Sequence, residues 1–224
     1  MNIYVIIPAY NENETVLMVV NSILQSGYEI ILIDDGSDTP LIGELQNLPI
    51  HYIRHCMNLG QGAAIQTGIE YALDLDAEYI ITFDADGQHQ ASDIEKLIIP
   101  LKKGGFDVTL GSRFLETANL HMPKGKELLL QLARGFNFIT TGIFLSDAHN
   151  GLRAVSRKAA SVIQIRQNGM AHATEILHII KKQKLRYKEV AVDVLYTDYS
   201  LQKGQSIWNS FRIVFDLFLN KIFK

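Results

Sequence analysis

What this chain has little of narrows it before any motif is read. One cysteine, Cys56, in 224 residues rules out an intrachain disulfide and a cysteine-only metal site, and suits a reducing compartment. No uncharged run reaches the roughly 20 residues that a bilayer-spanning helix needs. Charge of one sign is missing too. Against 24 Asp and Glu stand 21 Lys and Arg, a net charge of -3, which argues against a protein held to nucleic acid by phosphate contacts. No internal repeat, low-complexity linker or Walker G-x-x-x-x-G-K-[ST] segment occurs. The pair Gly60 and Gly62 follows a third strand rather than a first and lacks the full G-x-G-x-x-G of a dinucleotide site. No export signal is visible either, because Met1-Asn2 leads directly into an apolar strand, Ile3 to Ile7. The expectation is a cytoplasmic location.

What is present is enough for a full core. The chain is 47% hydrophobic and 20% charged, the balance of one large domain or of one domain with a second lobe. Ile3 to Ile7 reads as a buried parallel strand stopped by Pro8, followed by the polar loop Pro8 to Glu14 and a helix from about Thr15 to Gly27. A second strand, Ile30 to Ile33, delivers Asp34-Asp35-Gly36-Ser37; a third, His51 to Arg54, leads to Asn58-Leu59-Gly60-Gln61-Gly62 and a helix carrying Ala63, Ala64, Ile65 and Ile69. A fourth, Tyr79 to Phe83, drives straight into Asp84-Ala85-Asp86-Gly87-Gln88-His89. Alternating strands and helices, with polar loops at the C-terminal strand ends, predict an α/β fold with an open, mostly parallel twisted sheet flanked by helices. Such sheets bind ligands in the crevice outside those strand ends, so the four loops are expected to converge on one cleft.

Asp84 and Asp86 are the chemically demanding pair. Two carboxylates one residue apart at the end of a buried strand are costly unless a cation meets them. A hard divalent ion, Mg2+ or Mn2+, takes one or two protein carboxylates and completes its shell with water and substrate phosphates. Gln88 and His89 are positioned to add a ligand or a contact. A solvated strand-to-loop junction is the plainer alternative, since D-x-D is short and common.

Taken in order, Pro8-Ala9-Tyr10-Asn11-Glu12, Asp34-Asp35-Gly36-Ser37, Asn58 to Gly62, Asp84 to His89 and Gly111-Ser112-Arg113-Phe114 resemble the family 2 inverting glycosyltransferases of GT-A fold. The polyprenyl-phosphate (dolichol-phosphate) mannosyltransferase branch is the nearest likeness. Asp147-Ala148-His149-Asn150-Gly151-Leu152-Arg153 resembles that branch's D-x-x-S-G-F-R segment, with Asn150 and Leu152 in place of Ser and Phe. The resemblance implies a nucleotide-sugar donor whose base and ribose meet Pro8, Tyr10, Glu12, Ile33 and Asp35, with Ala63 and Ala85 beside them. It implies a metal on the donor diphosphate held by Asp84, Asp86 and Gln88, and an Arg113 that faces the phosphates or the acceptor. Residues 1–114 then form the nucleotide-binding half of a single domain spanning 1–224, and 115–224 the acceptor half.

The acceptor half matches less closely. Leu115 to Gly125 reads as a mobile loop, a candidate lid, and Leu128 to Ile143 as a helix. There Arg134 and Asn137 keep part of the branch's R-x-x-S-x-x-A-N pattern, while Leu130 and Ala133 stand where Arg and Ser are expected. Glu175 resembles the acid that the family turns towards the acceptor, and is equally readable as a solvated helix carboxylate. Val190, Val192, Val194 and Tyr196 alternate as a late strand. Tyr199 to Ser206 resembles the R-x-x-G-x-S-K loop that closes on the diphosphate, with Lys203 the cation at hand because Leu201 and Ile207 replace the two expected ones. Residues 207–224 form an amphipathic stretch, readable as a peripheral contact with the cytoplasmic membrane face or as a terminal packing helix. Two acceptors follow: a lipid phosphate, whose ionised oxygen needs no general base, or a hydroxyl of a glycan or lipid-linked saccharide, for which Glu175 or Asp147 is the base. A non-catalytic protein that binds sugar nucleotides is a distant third reading.

Overall fold

Along the first strand the side chains alternate between two cores. A computed structural model describes residues 2–115, 135, 138, 139, 141–147 and 150–195. In β1 (Ile3–Ala9), Tyr4 and Ile6 join one buried cluster and Val5 and Ile7 the other, as the two-residue period of a strand requires. Such a strand is covered on both faces, which is why it reads as a continuous apolar run.

Seven strands form one sheet in the order β3-β2-β1-β4-β6-β5-β7, from β2 (Glu29–Asp34), β3 (His51–Arg54), β4 (Tyr79–Thr82), β5 (Val108–Ser112), β6 (Arg153–Ser156) and β7 (Tyr187–Ala191). The pairings β1–β2, β1–β4, β2–β3 and β5–β7 are parallel. Only β6 runs antiparallel to its two neighbours. It lies between β4 and β5, so strands from residues 1–114 and from 115–224 share one sheet. Helices α1 (Val16–Gln25) and α3 (Asp93–Lys102) bury Val19, Val20, Ile23, Ile94, Leu97 and Ile98 on one face. On the other, α2 (Gln61–Asp74), α4 (Arg157–Ala160) and α5 (His172–Lys182) bury Ile65, Ile69, Ala159, Ile176 and Ile180. Gly68 lets α2 settle on β1, where a Cβ would overlap the Ile6 side chain.

The late strand is displaced from the expected one. It comprises Tyr187–Ala191, in register with Val108 to Ser112 of β5. Val192 is buried beyond its end, and Val194 forms a lone bridge with His89. Pairing with β5, rather than the alternation of valines, sets where it stops. Tyr196, the stretch 116–134, Lys203 with the expected closing loop, and 207–224 lie outside the described residues. No helix among the described residues is long and apolar enough to cross a membrane.

Candidate active site

The C-terminal ends of β1, β2, β3 and β4 open onto a single cavity of about 650 Å³. Pro8, Ala9, Tyr10 and Glu12 enter it from the end of β1, Asp35 from β2, Asn58, Gly60 and Gln61 from the β3–α2 turn, and Asp84, Ala85 and Asp86 from β4. The four loops singled out in the sequence therefore meet.

After β2 the two acids part company. Asp34 points inward and is fully buried. It accepts hydrogen bonds from the Ser37 amide at 2.9 Å, the Leu41 amide at 3.2 Å and the Tyr52 hydroxyl at 2.6 Å, and pairs with Arg54 at 3.2 Å. Burial alone would raise its pKa; bonds from Ser37 and Tyr52 outweigh that and hold it below the usual carboxylate range. Asp35 lines the cavity but is also engaged. Its Oδ1 faces His55 Nδ1 at 2.7 Å and accepts the Leu59 amide at 3.0 Å, and its Oδ2 accepts the Gly60 amide at 2.7 Å. His55 is braced in turn by the Thr67 hydroxyl at 3.0 Å. Asp35 thus shapes the Asn58–Gly60 turn and keeps limited capacity for a ligand.

The two glycines of that turn serve close packing. Gly60 has φ of 103°, and a Cβ on it or on Gly62 would overlap the backbone of Gln167 or Asn168. The Gly62 amide donates to the Asn168 carbonyl at 2.7 Å, and the loop so docked brings Gly169 and Met170 into the cavity wall. No sequence signal marked that wall. Glu175 holds its far side: Oε2 accepts the amides of Arg166 at 2.9 Å and Gln167 at 2.8 Å, and Glu175 is not among the residues lining the cavity.

Asp84 and Asp86 differ as well. Asp84 accepts from Gln61 Nε2 at 3.0 Å, and its other oxygen lies 3.3 Å from His89 Nε2. The His89 ring is packed edge-on against Phe83 at 5.6 Å, and its Nδ1 is buried without a partner. Burial pushes Asp84 up, but the His89 bond, with the charges of His89, Arg153 and His172, brings it below the usual range. Asp86 moves the other way, raised by burial and by the negative charge of Asp84, while the Gln88 amide, 3.0 Å from its Oδ1, opposes the rise. Glu12 adds a smaller repulsion.

These donors suit a hard divalent ion. The groups are carboxylate oxygens, and one of them carries negative charge that its surroundings disfavour, which a cation would relieve. Among the described residues no three His, Cys, Asp or Glu side chains form a metal cage. A shell completed by water and substrate phosphate is the form Mg2+ takes in phosphate-handling enzymes. Gln88, the third expected ligand, is seen to contribute its amide to Asp86.

Other expected site residues fall elsewhere. Ile33 is fully buried in the core beneath α2, because alternation along β2 places it on the face of Ile31. Ala63 does not line the cavity; Ala64, one residue on, does. Arg113 and Asp147 meet each other. Arg113 Nε lies 2.6 Å from Asp147 Oδ2 and Nη2 3.3 Å from Oδ1, in a forked pair with Asp147 buried. Ser146 and Asp147 are held by Glu189, which accepts both their amides.

Comparison with known proteins agrees with this architecture. The family model of glycosyl transferase family 2 matches residues 4–163. An uncharacterized protein of Methanocaldococcus jannaschii is 36% identical, over 99% of this chain and 93% of its own length. The UDP-N-acetylglucosamine–dolichyl-phosphate N-acetylglucosaminyltransferase of Methanococcus voltae is 34% identical, over 99% and 97%. Among solved structures, glucosyl-3-phosphoglycerate synthase from Mycobacterium tuberculosis, in complex with Mn2+, UDP and glucosyl-3-phosphoglycerate, superposes with a TM-score of 0.69 at 17% identity, covering 92% of this chain and 75% of that one. This chain belongs to glycosyl transferase family 2 and is a glycosyltransferase with the GT-A fold.

Proposed function

We propose that the chain transfers a sugar, with inversion, from a nucleotide-sugar donor to a polyprenyl-phosphate-type lipid, using Mg2+ or Mn2+ held by Asp84, Asp86 and Gln88. The observation that carries this is Asp86: a carboxylate in a strand-end cavity whose charge is opposed by Asp84 and met by one amide. A bound divalent cation there supplies charge stabilisation for the departing nucleoside diphosphate. The chain's own residues arrange the rest. Gln61 and His89 fix Asp84, Asp35 holds the Asn58–Gly60 turn, and Pro8, Tyr10, Glu12 and Ala85 line the cavity that would take the nucleoside. Lys203 is the cation assigned to the phosphates, since Arg113 is forked to Asp147 and does not line the cavity.

A phosphate acceptor is already ionised and displaces the leaving group without a general base. The two acids available as a base support that choice. Asp147 is buried and forked to Arg113, and Glu175 is tied to two backbone amides. The relative from Methanococcus voltae, named for a dolichyl-phosphate acceptor, supports the same class. Action on such a lipid would bring the protein to the cytoplasmic membrane face, and 207–224 is the segment to test for that contact.

The test is transfer from radiolabelled UDP- and GDP-sugars, with Mn2+, to a polyprenyl phosphate, the matching alcohol and a glycan. Chelator-sensitive product from the phosphate alone is expected. Product from the alcohol or glycan, with none from the phosphate, would replace this reading with hydroxyl transfer.

A further inference from the structure

Behind the acid pair sits a charge that the proposed reaction does not use. Arg153 opens β6, opposite Thr82 of β4 and Leu110 of β5, and is 5% exposed. It does not line the cavity, and its Nη1 is buried with no hydrogen-bond partner. A guanidinium keeps its proton even so. Asp84 and Asp147 are the two anions whose charges act on it. Asp147 already has Arg113, and the register that sets Arg153 opposite Thr82 puts it two positions from Asp84 along β4. The segment is pressed against Asp84: the Thr82 hydroxyl donates to the Gly151 carbonyl at 2.7 Å, and a Cβ on Gly151 would overlap the Asp84 carboxylate.

The consequence is a charge balance. With Arg153 behind Asp84, the D-x-D pair offers a dication about one net negative charge rather than two. No third His, Cys, Asp or Glu among the described residues completes a cage. A nucleoside diphosphate brings the missing negative charge with it. We infer that Arg153 is a charge-balancing residue that keeps the acid pair from holding a divalent cation until a nucleoside diphosphate is present, so that cation and nucleotide bind and leave together. This rests on the reading of Asp84-Ala85-Asp86 as the metal–diphosphate site.

The sign makes the inference testable. Removing a cation near a dication site should strengthen binding of the dication, whereas general damage to the site would weaken it. Mn2+ is titrated into the purified chain with and without UDP or GDP, and free Mn2+ is read by electron paramagnetic resonance. The unmodified chain should bind Mn2+ at least tenfold more tightly with a nucleoside diphosphate than without. Arg153→Met should bind Mn2+ alone roughly tenfold more tightly than the unmodified chain, the order expected of one fixed charge in a buried floor. Arg153→Lys, which keeps the charge, should behave as the unmodified chain. Arg153→Gln, neutral but able to hydrogen-bond, carries the same expectation and serves if the Met variant does not fold by circular dichroism.

A neutral variant that binds Mn2+ no more tightly than the unmodified chain overturns the role of Arg153 and leaves the metal site standing. So does an unmodified chain that holds Mn2+ equally well with and without nucleotide. Absence of Mn2+ binding under both conditions overturns the metal reading itself, and this inference with it.

Discussion

Two strand ends flank β1, and each delivers a pair of acids to the same edge of the sheet. At the end of β2, both Asp34 and Asp35 are met by donors: amides of Ser37 and Leu41 with Tyr52 and Arg54 for the first, amides of Leu59 and Gly60 with His55 for the second. At the end of β4, Asp84 is met by Gln61 and His89, while Asp86 has the Gln88 amide and a repelling neighbour. The difference is not one of burial, since Asp34 is buried more deeply than any of the others. It lies in how many donors the following loop turns back towards the carboxylate. Where the donors suffice, an acid organises the loop. Where they do not, it carries a charge that its surroundings oppose, which is how perturbed carboxylates come to mark functional sites.

The largest expected effect comes from breaking the second pair. Asp86→Ala should lower transfer by about 10²–10³-fold, the loss typical of removing one charge-stabilising element, while the melting temperature stays within a degree or two. Full activity of this variant in excess chelator would remove the metal role from the loop.

At the first pair the effect should be smaller and of another kind. Asp35→Ala should weaken binding of a nucleoside diphosphate by about tenfold, through a lost acceptor and a slackened Asn58–Gly60 turn, and leave the Mn2+ requirement intact. Calorimetry showing unchanged nucleotide affinity would take Asp35 out of the site.

A well-donated aspartate far from the cavity gives the contrast its control. Asp107, at the start of β5, is held at about 2, from a usual 3.8, chiefly by hydrogen bonds from Arg186. Its folded-state value lies below its unfolded one, so its stabilisation is present above about pH 3.8 and is lost as pH falls towards 2. Asp107→Asn should cost about 1 kcal/mol at pH 7, less than the full shift implies because Arg186 and Lys158 reach it from solvent. Urea unfolding at pH 7 and pH 2 checks this: the gap between the two proteins should close at the lower pH, and transfer activity at pH 7 should be unaffected.

The smallest effect should be at Glu175. Glu175→Gln keeps a carbonyl oxygen for the Arg166 and Gln167 amides, so activity should stay within about twofold. A fall of about 10²–10⁴-fold in steady-state transfer would restore Glu175 as a general base and favour a hydroxyl acceptor.

The strands β1 to β4 and the convergence of their loops were legible because buried parallel strands are short apolar runs with polar residues at one end. Ile3 to Ile7, Ile30 to Ile33 and Tyr79 to Phe83 carry that pattern openly, whereas β3, His-Tyr-Ile-Arg, is a half-buried edge strand. The four-residue β6, Arg-Ala-Val-Ser, carries none. It is a strand because β4 and β5 leave a slot between them, and that slot cannot be seen from local periodicity. Gly169 and Met170 were hidden for the same reason: they reach the cavity by docking on Gly60 and Gly62, more than 100 positions away in the chain.

By itself the sequence determined which residues could do chemistry and on which loops they stand, because composition and period are local properties. Only the tertiary structure decided which of those residues are left with something to do. Arg113 and Asp147 appeared as two separate candidates and are one ion pair. Ile33 appeared in the site and belongs to the core. Arg153, the last residue of a matched segment, turns out to be a buried cation on β6, opposite Thr82 and so two positions from Asp84. A side chain's charge and hydrogen-bonding capacity are fixed by its identity, but whether a partner already meets them depends on residues brought close only when the sheet is assembled.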